Sequence, residues 1–156
     1  MKIRKAKAEE VGQIADLQRE LMLHEKKIES TYFYNISKDA RERFIEFAKK
    51  KIENRNSKLF VAIIDGKIVG YILGWIKERP PVFKLKKVGY ISDCFVIEKF
   101  RGEGIGEKLA QRMLAWFKIK KLNYAELVVT SRNKLGFTVW KNLGFEEYRK
   151  IMRRKM

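Results

Sequence analysis

The 156-residue chain has only one cysteine, one histidine and two prolines. A lone cysteine, Cys94, excludes a disulfide within the chain, and His24 adds too little to build a His/Cys metal site, so no metal is expected. The longest apolar run, residues 59–64, is far shorter than the roughly 20 residues of a membrane-spanning helix. Because the chain also starts with charged residues and no apolar leader, we expect a cytoplasmic protein with no membrane segment.

Acidic residues are also scarce. The chain has 19 Asp and Glu against 36 Lys and Arg, a net charge of +17, and most of the excess lies in its second half. Such a basic protein attracts phosphate-bearing partners, either nucleic acid or a phosphorylated small molecule, although a solvated Lys-rich surface explains much of the count. Abundant Lys and Glu with few Gln also suggest a thermostable protein. With 46% hydrophobic residues and no repeats or linkers, residues 1–156 are expected to form a single domain.

The hydrophobic pattern alternates between strand and helix spacing. The predicted elements are a strand at 3–5, helices at 11–21 and 44–52, strands at 59–64, 67–73 and 88–96, a helix at 105–117, a strand at 124–130, a helix at 135–143 and a last strand at 145–153. Asp65-Gly66 favours a type I′ hairpin turn, Ser37 is a candidate N-cap, and Gly144 can end the last helix. The order β-α-α-β-β-β-α-β-α-β indicates a mixed sheet with helices packed on it.

A glycine-rich turn at residues 102–106 joins a strand to a helix. Its three alternating glycines leave room for a ligand at the backbone, and the first N–H groups of a helix have no internal partner, so the turn is predicted to bind phosphate. A tight turn that needs glycine only for its dihedral angles is the alternative, which three glycines disfavour. A dinucleotide fingerprint is excluded because Glu107 stands where its third glycine is required, and the Gly-Lys-Ser/Thr of a P-loop is absent.

Two motifs point to one family. The residues from Arg101 to Gly106, Arg-Gly-Glu-Gly-Ile-Gly, resemble the Arg/Gln-x-x-Gly-x-Gly/Ala motif of the GCN5-related N-acetyltransferase (GNAT) superfamily. A second segment resembles its Asn-x-x-Ala-x-x-x-Tyr-x-x-x-Gly-Phe pattern at Asn133, Gly136, Trp140, Gly144 and Phe145. The resemblance implies an α/β fold, with a mixed, mostly antiparallel sheet of about six strands and four helices packed on it. It also implies transfer of acetyl from acetyl-CoA to a primary amine of a small molecule or protein, by direct attack on the thioester.

The same resemblance assigns residues to acetyl-CoA. The strand end would pair with the pantetheine arm, the Val96 amide would polarise the thioester carbonyl, and the turn amides would hold the pyrophosphate. The residues expected at the cofactor are Cys94, Phe95, Val96, Arg101, Gly102, Glu103, Gly104, Ile105, Gly106, Glu107, Asn133 and Trp140.

The residues for proton transfer depart from the family pattern. Trp140 replaces the usual tyrosine, and its indole N–H cannot deliver a proton near neutral pH. Val128 stands where some members carry a carboxylate. Asp93 and Tyr90 are therefore the candidate catalytic residues, and Asp93 can orient the amine or take its proton through water. A structural carboxylate and core packing are the respective alternatives.

Two other functions compete with the acetyltransferase. The charge suggests a nucleic-acid- or ribosome-associated basic domain, although no RNA-binding motif supports it. Trp140 and Val128 suggest a catalytically weak acyl-CoA-binding protein. The expected partners are acetyl-CoA and an amine acceptor of unknown identity, and the chain is expected to be a monomer or a homodimer. Residues 32–34 are expected to touch the acceptor, whereas His24 and Glu25 are expected at the surface.

Overall fold

The computed structural model describes residues 1–156 and contains one five-stranded sheet and four α-helices. The strands are β1 (Lys2–Lys5), β2 (Ser57–Ile64), β3 (Lys67–Glu78), β4 (Lys87–Val96) and β5 (Ala125–Leu127), and the helices are α1 (Val11–Ile28), α2 (Lys38–Glu53), α3 (Ile105–Ile119) and α4 (Lys134–Asn142). The strands lie in the order β1-β2-β3-β4-β5, antiparallel except for the parallel pair β4–β5. The predicted mixed, mostly antiparallel sheet with four helices is confirmed, with five strands where about six were expected. None of the helices is both long enough and apolar enough to cross a membrane.

Three local signals form the structures that they predict. Asp65 and Gly66 have φ angles of 47° and 75°, so both residues of the β2–β3 turn adopt the positive φ of a type I′ turn. Ser37 caps α2, because its hydroxyl accepts the Ala40 N–H at 3.2 Å. Gly144, with φ 87°, follows α4 in the left-handed conformation.

Separate apolar cores lie on the two faces of the sheet, because successive strand residues point to opposite sides. One face of the sheet, named the α3 face, packs against the apolar side of helix α3. Its core contains Phe60, Ala62, Val69, Ile72, Ile91, Val96, Ile105, Leu109, Ala110, Met113, Trp116 and Phe117. The opposite face of the sheet, named the α1/α2 face, packs against helices α1 and α2. Its core contains Ala6, Val11, Ile14, Leu17, Ala48, Leu59, Val61, Ile68, Tyr71, Leu73 and Phe95.

The predicted strand at 145–153 is wrong, since the chain forms neither helix nor strand after α4. Its two adjacent apolar residues, Ile151 and Met152, are 87% and 93% exposed, so the segment has no alternating face to bury against a neighbour. Near its end the segment makes a polar contact, since Arg153 donates to the Thr31 carbonyl at 2.9 Å. The predicted strand at 124–130 likewise shrinks to the three residues of β5.

Candidate functional site

The strands β4 and β5 separate after three paired residues, which opens one edge of β4. Residues 89–91 pair with residues 125–127, and β4 then continues to Val96 with no neighbour on that side. Ile97 donates its backbone N–H to the Val69 carbonyl at 2.9 Å, so Val96, one residue earlier, directs its own N–H away from β3. The open edge therefore presents the Val96 amide, and it can accept an extended ligand as an added strand.

A bulge in β4 places Tyr90 and Asp93 on the same face of the sheet. The register with β3 shifts between Leu73 and Gly74, which leaves Ser92 unpaired. On a regular strand, residues three positions apart, such as Tyr90 and Asp93, point to opposite faces of the sheet. The extra residue of the bulge turns Asp93 to the same face as Tyr90. Because Asp93 lies opposite Leu73 of the α1/α2 core, both candidate catalytic side chains face that side.

The glycine turn exposes a run of unpaired backbone N–H groups. Gly102 and Gly104 have φ angles of 84° and 73°, and a Cβ at either position would meet no heavy atom within 4 Å. Their positive φ, and not close packing within the protein, is what requires glycine. No side chain caps α3, and the N–H groups of residues 102–107 donate to no backbone or side-chain acceptor. A row of unpaired N–H groups at the positive end of a helix favours an anionic ligand.

Arg101 fastens this turn to the end of β4. Its Nε donates to the Val96 carbonyl at 2.9 Å, and its guanidinium lies 5.3 Å from the centroid of the Phe95 ring. The side chains of Glu103 and Glu107 are exposed. The Arg101 side chain thus stabilises the turn through contacts within the protein. Glu103 and Glu107 contribute only their backbone N–H groups to the run of unpaired donors.

The remaining side chains around the strand end are unreactive. Phe95 and Ile105 are buried in the two cores. Burial, aided by the nearby charge of Asp93, raises the pKa of the Cys94 thiol to about 12. The thiol is therefore protonated at neutral pH and does not act as a nucleophile.

The α4 segment holds Asn133 and Trp140 through contacts within the protein. The Asn133 Oδ1 accepts the Gly136 N–H at 2.8 Å and so caps the helix. A Cβ on Gly136 would lie 2.7 Å from the Asn133 Nδ2, so glycine is what lets this cap lie against the helix. Trp140 is half-buried and packs edge-on against Phe145, with ring centroids 5.4 Å apart. Their contact with acetyl-CoA stays a prediction.

Asp93 lies among hydroxyl groups at the bulge. Its Oδ1 accepts the Ser92 hydroxyl at 2.9 Å, and the Tyr71 hydroxyl lies 3.4 Å from its Oδ2, a long contact for a hydrogen bond. Burial raises the pKa of Asp93 above its ordinary value, and the two hydroxyls offset this only in part. A carboxylate whose pKa is shifted toward neutrality binds a proton better than an exposed aspartate does, as a general base must.

Three tyrosines near Asp93 stay protonated. Burial raises the pKa of Tyr34 to about 12 and also raises the pKa values of Tyr71 and Tyr90, and the charge of Asp93 adds to all three shifts. Tyr90 also packs against Trp75, with ring centroids 5.2 Å apart. Their neutral hydroxyls can donate or accept hydrogen bonds on this side of the opening.

Glu25 joins α1 to the loop before α4, a contact that the sequence does not predict. The Thr130 hydroxyl donates to the Glu25 Oε2 at 2.8 Å and lies 3.0 Å from the Tyr32 hydroxyl, and the Asn133 Nδ2 lies 3.4 Å from the Glu25 Oε1. Glu25, expected at the surface, is half-buried. Because Glu25 and Thr130 are 105 residues apart, no local pattern in the sequence signals their contact.

The residues expected to touch the acceptor divide into two groups. Tyr32 and Tyr34 stack with ring centroids 5.3 Å apart, and the Tyr32 hydroxyl joins the Glu25 contacts. Phe33 is 82% exposed.

No three His, Cys, Asp or Glu side chains converge anywhere in the chain as metal ligands would.

Comparison with known proteins identifies the family. The model of the acetyltransferase (GNAT) family matches residues 20–145. An uncharacterized N-acetyltransferase of Archaeoglobus fulgidus is 34% identical over 105 residues, 65% of this chain and 66% of that protein. An N-alpha-acetyltransferase of Sulfurisphaera tokodaii is 31% identical over 115 residues, 69% of this chain and 66% of that protein. The chain thus spans just under two thirds of the length of these relatives.

Solved structures share the fold. A tetramutant of the BH1408 protein from Bacillus halodurans superposes with a TM-score of 0.86 at 24% identity and covers all of both chains. A predicted acetyltransferase from Clostridium acetobutylicum, solved with acetyl-CoA, gives a TM-score of 0.79 at 20% identity and covers 99% of this chain and 95% of that one. The fold and the family match confirm the resemblance seen in the glycine turn and the Asn133 segment: this chain belongs to the GNAT family of acetyltransferases.

Proposed function

We propose that the chain transfers an acetyl group from acetyl-CoA to a primary amine, and that this amine is the α-amino group of a polypeptide. The observation that carries the acetyl-CoA part of the proposal is the run of unpaired N–H groups at residues 102–107. This run follows the open edge of β4 after the short connection at residues 97–101. A ligand that is anionic at one end and carries amide groups along its length matches both surfaces at once.

The residues present fit acetyl-CoA. The N–H groups of residues 102–107 would hold its pyrophosphate, and the edge of β4 at Val96 would pair with the amides of its pantetheine arm. Both surfaces consist of backbone groups, which explains why the exposed glutamates of the turn are tolerated. When bound, acetyl-CoA supplies an activated thioester. The Val96 N–H, directed into the opening, would donate to the oxygen on which negative charge develops.

Removal of a proton from the amine is the step that falls to side chains of this protein. An α-amino group has a pKa near 8, so at neutral pH most of it must lose a proton before it can attack. We assign that proton to the Asp93 carboxylate, directly or through water. Tyr34 and Tyr90 remain neutral, so their hydroxyls can orient the amine without competing for its proton.

The lining of the opening supports a cationic acceptor. Asp93 and Glu25 place two carboxylates on the α1/α2 side, beside the stacked rings of Tyr32 and Tyr34. Carboxylates and aromatic faces both attract an ammonium group, which offsets the positive charge of the whole protein locally. An α-amino group deprotonates more readily than a lysine side chain, whose pKa is near 10.4, so one carboxylate base is sufficient. The name of the Sulfurisphaera tokodaii relative, an N-alpha-acetyltransferase, agrees with this acceptor.

Gly104→Glu tests the acetyl-CoA site. The substitution puts a side chain and a negative charge among the unpaired N–H groups. Gly66→Glu in the β2–β3 turn is the matched control, since Gly66 has nearly the same φ, 75° against 73°, and equally open surroundings. By calorimetry we expect acetyl-CoA binding to weaken at least about tenfold in Gly104→Glu and to be unchanged in Gly66→Glu. Equal affinities in the two variants would show that acetyl-CoA binds elsewhere.

Release of the CoA thiol tests the acceptor. Three acceptors separate the possibilities: a peptide with a free α-amino group and no lysine, a lysine-containing peptide with a blocked N-terminus, and an aminoglycoside. We expect the highest kcat/KM with the first. Preference for either of the others would contradict the α-amino acceptor while leaving the acetyl-CoA site intact. No release from any, despite acetyl-CoA binding, would favour the weak acyl-CoA-binding protein.

A further inference from the structure

A cavity of about 440 Å³ lies on the α3 face, between the ends of β1 and β2 and the C-terminal half of α3. Its lining residues are Lys5, Arg55, Lys58, Phe60, Arg112, Ala115, Trp116, Ile119 and Lys120, and together they are named the basic cleft. The lining contains five cations and no Asp or Glu. Its volume lies within the range of clefts that hold small ligands.

The fold explains why cations meet here. Lys5 at the end of β1 pairs with Phe60, and Lys58 lies two residues before Phe60, so the alternation of the strands turns all three toward the α3 face. Arg112 and Lys120 are eight residues apart, which puts both on the same side of α3 about 12 Å apart along its axis. Since α3 contacts β2, β3 and β4 and β1 is the edge strand, the groove beside β1 is left open.

The cations of the basic cleft are not neutralised by the protein. None of them takes part in any of the ion pairs of the chain. Lys58 is half-buried, and both burial and the charges of Lys5 and Lys120 lower its pKa. Its Nζ lies 5.2 Å from the Trp116 ring centroid, and the Arg112 guanidinium lies 5.6 Å from that of Phe60. The Trp116 and Phe60 rings are buried, and each makes a cation–π contact with one of the cleft cations.

We propose that the basic cleft binds the sugar-phosphate backbone of single-stranded nucleic acid. Cations spread over about 12 Å match more than one phosphate, and a groove between a strand edge and a helix can follow a single backbone. Because a duplex is wider than a single strand, we expect it to contact the half-buried Lys58 less well. Because the aromatic rings are covered by cations, bases have no face to stack on, so binding is independent of base sequence and strongly dependent on salt.

The basic cleft is separate from the acetyl-CoA site. The unpaired N–H groups lie at the start of α3, whereas the cleft begins at Arg112 and extends to the end of the helix. The proposal therefore does not depend on the activity of the chain. An acetyltransferase with such a cleft would be held at nucleic acid, where protein acceptors associated with that nucleic acid are concentrated.

Fluorescence anisotropy with a labelled 20-nucleotide oligouridylate tests the proposal, with single-stranded DNA of the same length as a second arm. Arg112→Glu/Lys120→Glu reverses two cleft charges. Lys49→Glu/Lys50→Glu, at the exposed end of α2, changes the net charge equally and is the control. We expect the cleft variant to bind RNA at least about tenfold more weakly than the control. The slope of log Kd against log salt concentration should fall by about two units, roughly one for each reversed cation. Similar loss with DNA would show that the backbone and not the 2′-hydroxyl is recognised.

Several outcomes would overturn the proposal. Equal weakening in both variants would show that only the overall charge attracts RNA, and no binding by the parent protein at low salt would exclude the site. Duplex DNA bound as tightly as the single strand, with the same loss in the cleft variant, would exclude the single-strand specificity. Poly-glutamate bound more tightly than RNA, and sensitive to the same substitutions, would assign the cleft to an acidic protein partner. Unchanged melting and acetyl-CoA affinity in both variants verify that they fold.

Discussion

Replacing Asp93 by asparagine separates a base from a structural carboxylate. Asparagine keeps the size of the side chain and can still accept the Ser92 hydroxyl, which lies 2.9 Å from Oδ1, but it cannot take a proton. General-base assistance is typically worth ~10²–10⁴-fold, so we expect kcat to fall by about two to four orders of magnitude. The rate of the parent enzyme should rise with pH through the raised pKa of Asp93, and the residual activity of the variant should lack that rise.

Asp93→Asn should lower kcat but should keep or raise the folding stability. Burial raises the folded-state pKa of Asp93 above its ordinary value of 3.8, so the folded protein holds this proton more tightly than the unfolded chain does. Above the unfolded-state pKa, ionisation of Asp93 therefore costs folding free energy, about 1.4 kcal/mol for each unit of pKa difference. Asparagine avoids this cost. Asp93→Asn should melt at the same or a higher temperature than the parent near neutral pH. The difference should shrink as the pH falls through the raised folded-state pKa of Asp93, and it should be absent below about 4.

Kinetics and thermal melts on the same preparations check both effects. Ser92→Ala is the control, because it removes one hydrogen bond to Asp93 and keeps the carboxylate. We expect it to retain most of the activity. A kcat of Asp93→Asn within about threefold of the parent would refute the role as a base. Loss of activity together with a lowered melting temperature would assign Asp93 to the structure alone.

Two further substitutions test the packing of the sheet and the acceptor side. Gly89→Ala should lower the free energy of unfolding by about 1–3 kcal/mol, because the new Cβ would lie 2.5 Å from the Phe117 ring. Chemical denaturation measures this free energy, and a negligible decrease would mean that the ring moves aside. Glu25→Gln removes a negative charge beside Thr130, so we expect the KM for the acceptor to rise several-fold while acetyl-CoA affinity is unchanged. If acetyl-CoA affinity fell more than acceptor KM rose, Glu25 would belong to the cofactor side.

The glycine turn could be predicted from the sequence because its conformation depends on neighbouring residues. The glycines at 102 and 104 set the positive φ angles of the turn, and α3 begins directly after them, so the unpaired N–H groups follow from local conformation alone. The β2–β3 hairpin was predictable for the same reason, since Asp65-Gly66 needs no distant contact to adopt its turn.

The contacts of Glu25 and the structure of the C-terminal segment could not be predicted in this way. Glu25 has the pattern of an exposed helical residue, and only the return of the chain near Thr130 gives it a partner. Residues 145–153 contain aromatic and apolar side chains that suggest a strand, yet a strand needs a neighbour with an edge to pair. The edge strand β5 is only three residues long, and Arg153 of the segment donates to the Thr31 carbonyl instead.

The contact between Glu25 and Thr130 also bears on how the protein folds. It links residues 105 positions apart, and the bond from Arg153 to Thr31 links residues 122 positions apart. Such contacts of high sequence separation raise the contact order, and the entropy of closing the intervening loop must be overcome before they contribute any stability. The sheet and the glycine turn can therefore form before the contacts of Glu25 with Thr130 and of Arg153 with Thr31 are made. Local opening of these two contacts, with the sheet and the glycine turn intact, is the expected lowest-energy excursion from the native state.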